Sequence, residues 1–220
     1  MSNKAEINAI RVALSFSRIA TYEVATKITV ADDPSALDLY MWNAEVSGAL
    51  LTPLHICEVV IRNAVSDVLE MVYGSRWPWS QVFELSLPNP AQGYNQRKDL
   101  LRARKAAQTT GKVIPELSFV FWQKMFTSRH DIRLWDKNLK QVFVNMDGTK
   151  TTATLRDMIF SDLDQIRKLR NRIAHHEPIF TRNLDDDFKK IADLVKFRCP
   201  VTARWLVEKQ RATVIIAAKP

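Results

Sequence analysis

The chain has 220 residues, 46% of them hydrophobic and 25% charged, with a formal net charge of +8. That much apolar content supports a real core and excludes global disorder, over a length that suits one ordinary domain. Five glycines are few for this length, which argues against sandwiches, barrels and Gly-rich phosphate loops and favours helices.

Residues 5–26 read as an amphipathic helix, with Ile7, Ile10, Val12, Leu14, Phe16 and Ile19 as its apolar positions. Asp32-Asp33-Pro34-Ser35 is a helix start, because acidic residues and a proline suit a first turn. That helix runs through Tyr40 and Trp42 towards Leu51. Thr52-Pro53 either caps a new helix or kinks a continuing one. Residues 54–73 are helical and end at Gly74. Trp77-Pro78-Trp79 and Leu87-Pro88-Asn89-Pro90 mark loops. A basic helix is predicted at 94–108, broken by Gly111. Pro115-Glu116 opens a short helix through Phe126, and 130–140 is another helical piece. Asp147-Gly148 between Val142-Phe143-Val144 and Thr151-Thr152 is compatible with a small hairpin. Helices at 154–177, 184–198 and 201–211 complete an all-α bundle. One domain is expected over 1–220: an N-terminal helix within 1–30, a loop-rich middle insertion carrying the basic helix at 74–115, and the helix at 154–177.

Charge is unevenly spread. Residues 1–90 hold 6 Lys/Arg and 10 Asp/Glu, a net of −4; residues 91–220 hold 26 and 14, a net of +12. A polyanion such as RNA would be drawn to the second half. No apolar run reaches the roughly 18 residues of a membrane span, and the first residues lack a basic-then-apolar signal pattern, so a cytoplasmic protein without a membrane segment is expected. Cys57 and Cys199 have no metal-type spacing and read as reduced thiols. His55 and His130 lack acid or thiol partners at ligand spacing, so no metal site is expected.

The helix at 154–177 closes on Arg170-Asn171-Arg172-Ile173-Ala174-His175-His176-Glu177. Burying that cluster would cost solvation, so its side chains are expected to meet something charged. Metal-independent RNA cleavage needs proton transfer at the 2′- and 5′-oxygens and compensation of phosphorane charge. Histidine changes charge near neutral pH, and arginine supplies a fixed positive fork for phosphate oxygens. Asn171 and His175 are i,i+4 and share a face, which Arg167 extends by another turn. Which histidine transfers protons, His175 or His176, stays open from spacing. The bland alternative is a set of polar helix-end residues complementing the dipole.

In the helix 54–73, Glu58 falls in the middle of an apolar arc about 80° wide formed by Leu54, Ile61, Val65, Leu69 and Val72, with Arg62 one turn on. Glu58 either pairs with Arg62 or reaches across to Arg170 or a motif histidine. In the basic helix, Arg97, Lys98, Arg102 and Lys105 form either a solvated face or a phosphate-tracking surface. Trp77, Trp79, Trp122 and Trp135 read as core rather than as base-stacking platforms. Asp185-Asp186-Asp187 reads as charge complementing a helix N-terminus.

The pattern Arg-Asn-x-x-x-His at 170–175 resembles the signature of the HEPN superfamily, and Leu169-Arg-Asn-Arg-Ile-Ala-His-His-Glu177 looks like its Abi-like, abortive-infection branch. Glu58-Val-Val-Ile-Arg62-Asn63-Ala64 resembles the first-helix signature of Abi-like proteins, and Phe119-Val-Phe-Trp122 after Pro-Glu-Leu-Ser resembles a further stretch of them. The likeness covers about Leu37 to the end of the motif helix, without 80–112. It implies a HEPN-type bundle and a metal-independent endoribonuclease acting in phage defence or as a toxin, with no cofactor. It further implies that Arg170 and Asn171 engage phosphate, His175 or His176 transfers protons, and Glu58 braces them. Arg62, Asn63, Arg167, Arg172 and the basic helix would contact RNA. Two facing motifs imply a homodimer. An antitoxin or inhibitory partner is a further expectation. The alternatives are a non-catalytic RNA-binding or antitoxin-like relative, and a helical interaction module without nucleic acid.

Overall fold

Asp33 starts the longest element: its carboxylate accepts hydrogen bonds from the Ser35 amide (2.9 Å) and hydroxyl (2.6 Å), which hold it below the usual carboxylate range. The helix that follows, α3, runs from Ser35 to Tyr73 without interruption. Pro53 lies inside it and removes one donor from the ladder without ending it. The alternative left open at Thr52-Pro53 therefore resolves to a continuing helix. Gly74, at φ 82°, stops it, with its amide bonded to the Glu70 carbonyl at 2.8 Å.

This computed structural model describes residues 4–28, 30, 33–105 and 107–220; Asp32 of the expected helix start and residue 106 of the expected basic helix lie outside them. Helix is the only regular structure among the described residues. Around α3 stand α1 (Lys4–Leu14), α2 (Phe16–Thr26), α4 (Gln81–Ser86), α5 (Gln96–Lys105), α6 (Thr110–Val113), α7 (Phe119–Lys124), α8 (Asp136–Val142), α9 (Thr152–Ala174), α10 (Leu184–Arg198), α11 (Pro200–Lys209) and α12 (Ala212–Ala217), with 3-10 turns at Trp77–Trp79, Ile114–Glu116 and Ser128–His130 and a π turn at Asp131–Trp135. The all-α expectation holds.

Several local readings are corrected. The helix expected at 5–26 is two helices, because Ser15 takes φ 72° between them. Gly111 does not break a helix but lies in α6. The segment around Asp147-Gly148 forms no hairpin: Val142 ends α8, and Asp147 instead accepts bonds from the Thr149 amide and hydroxyl. α12 was not anticipated. The motif helix ends at Ala174, before its histidines.

The core follows helical periodicity. α3 buries Ala36, Leu39, Trp42, Val46, Leu50, Leu54, Cys57, Ile61, Val65 and Leu69; α9 buries Leu155, Ile159, Leu163, Ile166, Leu169 and Ile173. These belong to one contiguous cluster that also takes in Trp77, Phe83, Trp122 and Trp135 from the middle segment, so those indoles are core, as expected. Truncating one such position, for example Ile166→Ala, costs about 2–5 kcal/mol. α3 is the one described helix long and apolar enough by length and composition to cross a bilayer, with mean hydropathy 1.4 in its apolar stretch. That composition serves packing here, since α2, α9, α10 and α12 all lie against it.

Helix directions place the motif. Gln165 donates to Asp186 and Asp187 (2.7 and 2.8 Å), and Lys190 approaches Asp162 (3.4 Å), so α9 and α10 are antiparallel. Asp162 and Glu58 both act on the buried Cys57 thiol, which burial chiefly pushes upward. Ile173 shares a cavity with Asn43, Ser47 and Leu51. α9 thus runs antiparallel to α3, and its tip meets the first third of that helix.

Candidate functional site

The tip of α9 is built by a chain reversal. Thr151 opens the helix by accepting the Thr154 amide at 3.2 Å. At the other end the His176 amide bonds to the Ile173 carbonyl (3.0 Å) and the Glu177 amide to the Arg172 carbonyl (2.8 Å), while His176 sits at φ 55°. This is a Schellman arrangement with histidine in the left-handed position that glycine usually takes. His175 is the C-cap, and its amide still bonds to Asn171 at 3.0 Å. Pro178 follows at once and prevents continuation.

Three further contacts hold the reversal. Arg172 donates through Nε and Nη2 to the Pro178 carbonyl (2.9 and 2.7 Å) and pairs with Glu177 at 3.3 Å. The Ile179 amide donates to Asn43 Oδ1 of α3 at 2.7 Å. Arg18 Nη1, from α2, donates to the His176 carbonyl at 2.7 Å. Arg172, expected to contact RNA, is therefore engaged in shaping the turn.

α2 forms the second wall. Ser15, Ser17, Arg18 and Thr21 face His175 and His176 across a cavity of about 300 Å³. A second cavity of about 290 Å³ on the α3 side is bordered by Tyr22, Tyr40, Ser47, Ile173 and again His176. Burial first, then Tyr40, pushes the Tyr22 phenol up to about 12, against the lowering effect of Arg18 and Arg172. The phenol is therefore protonated at neutral pH and does not act as a base there.

The remaining predicted residues divide into free and engaged. Among the described residues, the side chains of Arg170, Asn171, His175 and His176 make no hydrogen bond or ion pair, and all but the half-buried Asn171 are exposed. Arg167 bonds to Gln123 Oε1 and to Asp164, both at 2.8 Å. Hydrogen bonds from Lys168 and then Arg167 hold the Asp164 carboxyl well below its usual range. Arg170 and His175 do not converge: five residues of helix set them about 140° apart, and the cavity at the tip is lined by His175 without Arg170.

Glu58 does not reach the motif. Its carboxylate pairs with Arg62 one turn on, and it acts with Asp162 on the Cys57 thiol, which puts it near the level of Asp162, eight residues or about 12 Å along α9 from Arg170. The bracing role is thus corrected in favour of the intrahelical pair. Asn63 is exposed beside it. In α5, Arg97 donates to the Leu85 and Leu87 carbonyls (2.9 and 3.1 Å), Arg102 to Asp99 and the Glu116 carbonyl (2.8 and 2.7 Å), and Arg104 to Glu84 and the Pro78 carbonyl (2.5 and 2.9 Å). Its arginines pin the surrounding loops, so the expected phosphate-tracking face reduces to exposed Lys98 and Lys105 and the outer part of Arg102.

Asp187 also does more than complement a dipole. It is fully buried and takes a two-pronged pair from Arg182 (2.8 and 2.8 Å) as well as the Gln165 amide. Among the described residues no three His, Cys, Asp or Glu side chains come together to hold a metal ion. The contribution of Arg18 was missed, because a contact across 158 positions leaves no local pattern. No family model matches the chain, and neither the curated proteins nor the solved structures yield a match.

Proposed function

We propose that this chain is a metal-independent endoribonuclease of the HEPN, Abi-like kind, acting in the cytoplasm in phage defence or as a toxin. The observation that carries the reading is the uncommitted set at the α9 tip. Arg170 and His175 are exposed and Asn171 is half-buried, and none of these side chains has an intramolecular partner, whereas the neighbouring Arg167 and Arg172 both have one. Arg170 and Asn171 bind the phosphate, and His175 moves the proton. His176 shapes the cleft through its backbone.

Because Arg170 and His175 diverge on one tip, the reaction needs the arginine of one copy and the histidine of another around one phosphate. A homodimer through α9 supplies that arrangement. The same divergence favours a second reading if the chain is monomeric: an RNA-binding relative that does not cleave. Purified protein incubated with total RNA and a chelator tests both. Fragments ending in cyclic phosphate, lost in His175→Ala, together with a dimer by light scattering, support the nuclease. Intact RNA with retained binding by a monomer selects the second reading.

A further inference from the structure

A second polar cavity lies away from the α9 tip. It has a volume of about 490 Å³ and sits between the loop before α5, α7 and the turn after it, a size within the range of small-ligand sites. Its charged lining residues are Lys124 and Arg129, and no carboxylate lines it. Among the described residues neither cation has an acidic partner. The Lys124 ammonium stands 5.4 Å from the Phe160 ring centroid, and Arg129 is exposed. Every arginine of α5, by contrast, has an intramolecular acceptor. The cavity thus brings together two cations without an acidic partner, whereas the arginines of the basic helix are engaged with the surrounding loops.

The uncharged walls suit a nucleobase and its sugar. Tyr94 borders the cavity, and its hydroxyl donates to Asp99 at 2.8 Å, which fixes the ring in place. Gln96 is buried, with its amide nitrogen 3.2 Å from the Phe121 carbonyl and 3.2 Å from Met125 Sδ. Its amide oxygen remains as an acceptor. The Ser128 hydroxyl adds a group that can donate or accept. Two cations beside an aromatic ring and a fixed amide are the elements with which proteins hold a phosphate and the base attached to it.

We propose that this cavity binds a nucleotide, with Lys124 and Arg129 on its phosphate and the Tyr94 ring against its base. The ligand is either a free mononucleotide or one nucleotide of an RNA chain. In the second case the site lies about 16 Å along α9 from Asn171, the separation of Phe160 and Asn171 at 1.5 Å per residue. The assignment goes beyond the nuclease reading and stands without it.

The test uses the full chain in a His175→Ala background, so that cleavage does not consume the probe. Adenosine monophosphate is titrated by calorimetry, and a labelled five-nucleotide oligoadenylate by fluorescence anisotropy. The double variant Lys124→Gln/Arg129→Gln is expected to weaken at least one probe tenfold or more and to flatten its salt dependence. Ser128→Glu, an exposed change that places a carboxylate at the cavity, is expected to do the same with an unchanged melting temperature. Loss of mononucleotide binding identifies a free nucleotide; loss confined to the oligomer identifies an RNA chain. The proposal is overturned if neither probe binds at millimolar concentration, or if both bind the Ser128→Glu protein as they bind the parent. Uncut RNA with the His175-containing chain would sink the nuclease reading and leave this result untouched.

Discussion

The guanidinium of Arg18 donates a 2.7 Å hydrogen bond to the main-chain carbonyl of His176, joining segments 158 positions apart. This bond ties the N-terminal helix pair to the reversal that ends α9. Arg18→Ala leaves that carbonyl to solvent. A loss of about 0.5–1 kcal/mol is expected, with faster hydrogen exchange at the amides of residues 176 and 177. Unchanged exchange there would mean that α2 does not secure the tip.

The left-handed backbone at His176 makes a sharp comparison. Glycine adopts that conformation freely, whereas a Cβ there costs about 1–2 kcal/mol. His176→Gly should therefore be more stable than His176→Ala by about 1 kcal/mol. Thermal melts of the two variants decide it, and equal stability would show that the reversal is not left-handed in solution.

At the proposed reaction centre, His175→Ala is expected to lower the cleavage rate by about 10²- to 10⁴-fold. Arg170→Ala should do likewise, while a mixture of the two inactive variants should recover part of the activity if each dimer site draws on both chains. Failure to recover activity in a mixture shown to contain heterodimers would argue against the shared site.

Asp187 is buried between Arg182 and Gln165. Asp187→Ala leaves a guanidinium and an amide without their acceptor, and a loss on the order of 3–5 kcal/mol is expected in urea unfolding. Asp187→Asn keeps one acceptor oxygen and should lose less. A loss below about 1 kcal/mol for the alanine variant would show that water replaces the carboxylate.

Burial, reinforced by Arg133 and Arg129, pushes His130 down from 6.5 to about 3. The unfolded chain takes up a proton near 6.5 that the folded chain refuses. The stability tied to neutral His130 is therefore complete above about pH 6.5 and is withdrawn as pH falls towards 3. Between pH 6.5 and 4.5 the wild type should lose on the order of 2–3 kcal/mol more than His130→Leu. Parallel melting curves across that window would refute it.

Most of the helical plan was legible because its signals are local. Gly74 stops α3, the period of Leu155 to Ile173 defines α9, and Trp77, Trp122 and Trp135 sit where their apolar bulk suggests, whereas the cap at Thr151 was read as part of a hairpin. The break at Ser15 carries no glycine or proline to announce it. The hairpin reading at Asp147-Gly148 mistook a turn for strand pairing. At the site, the motif string lies at the tip of α9, where Arg170, His175 and His176 are exposed but Arg172 is drawn into the turn. The roles of individual cations were not legible, since the composition of α5 shows five basic residues but not the carbonyls of Leu85, Pro78 and Glu116 that receive its arginines. The Glu58 arc was readable as amphipathic, yet its level against α9 depends on helix direction.

The far end of the chain also leans on this region. The Trp42 indole donates to the Ile215 carbonyl at 2.7 Å, and the Lys219 ammonium to the Phe180 carbonyl at 2.9 Å. An affinity handle fused after Pro220 would begin two positions from Lys219, which steadies the segment leaving the reversal at the tip of α9. A handle placed ahead of α1 avoids that contact, so RNA binding and cleavage are best assayed on protein tagged there.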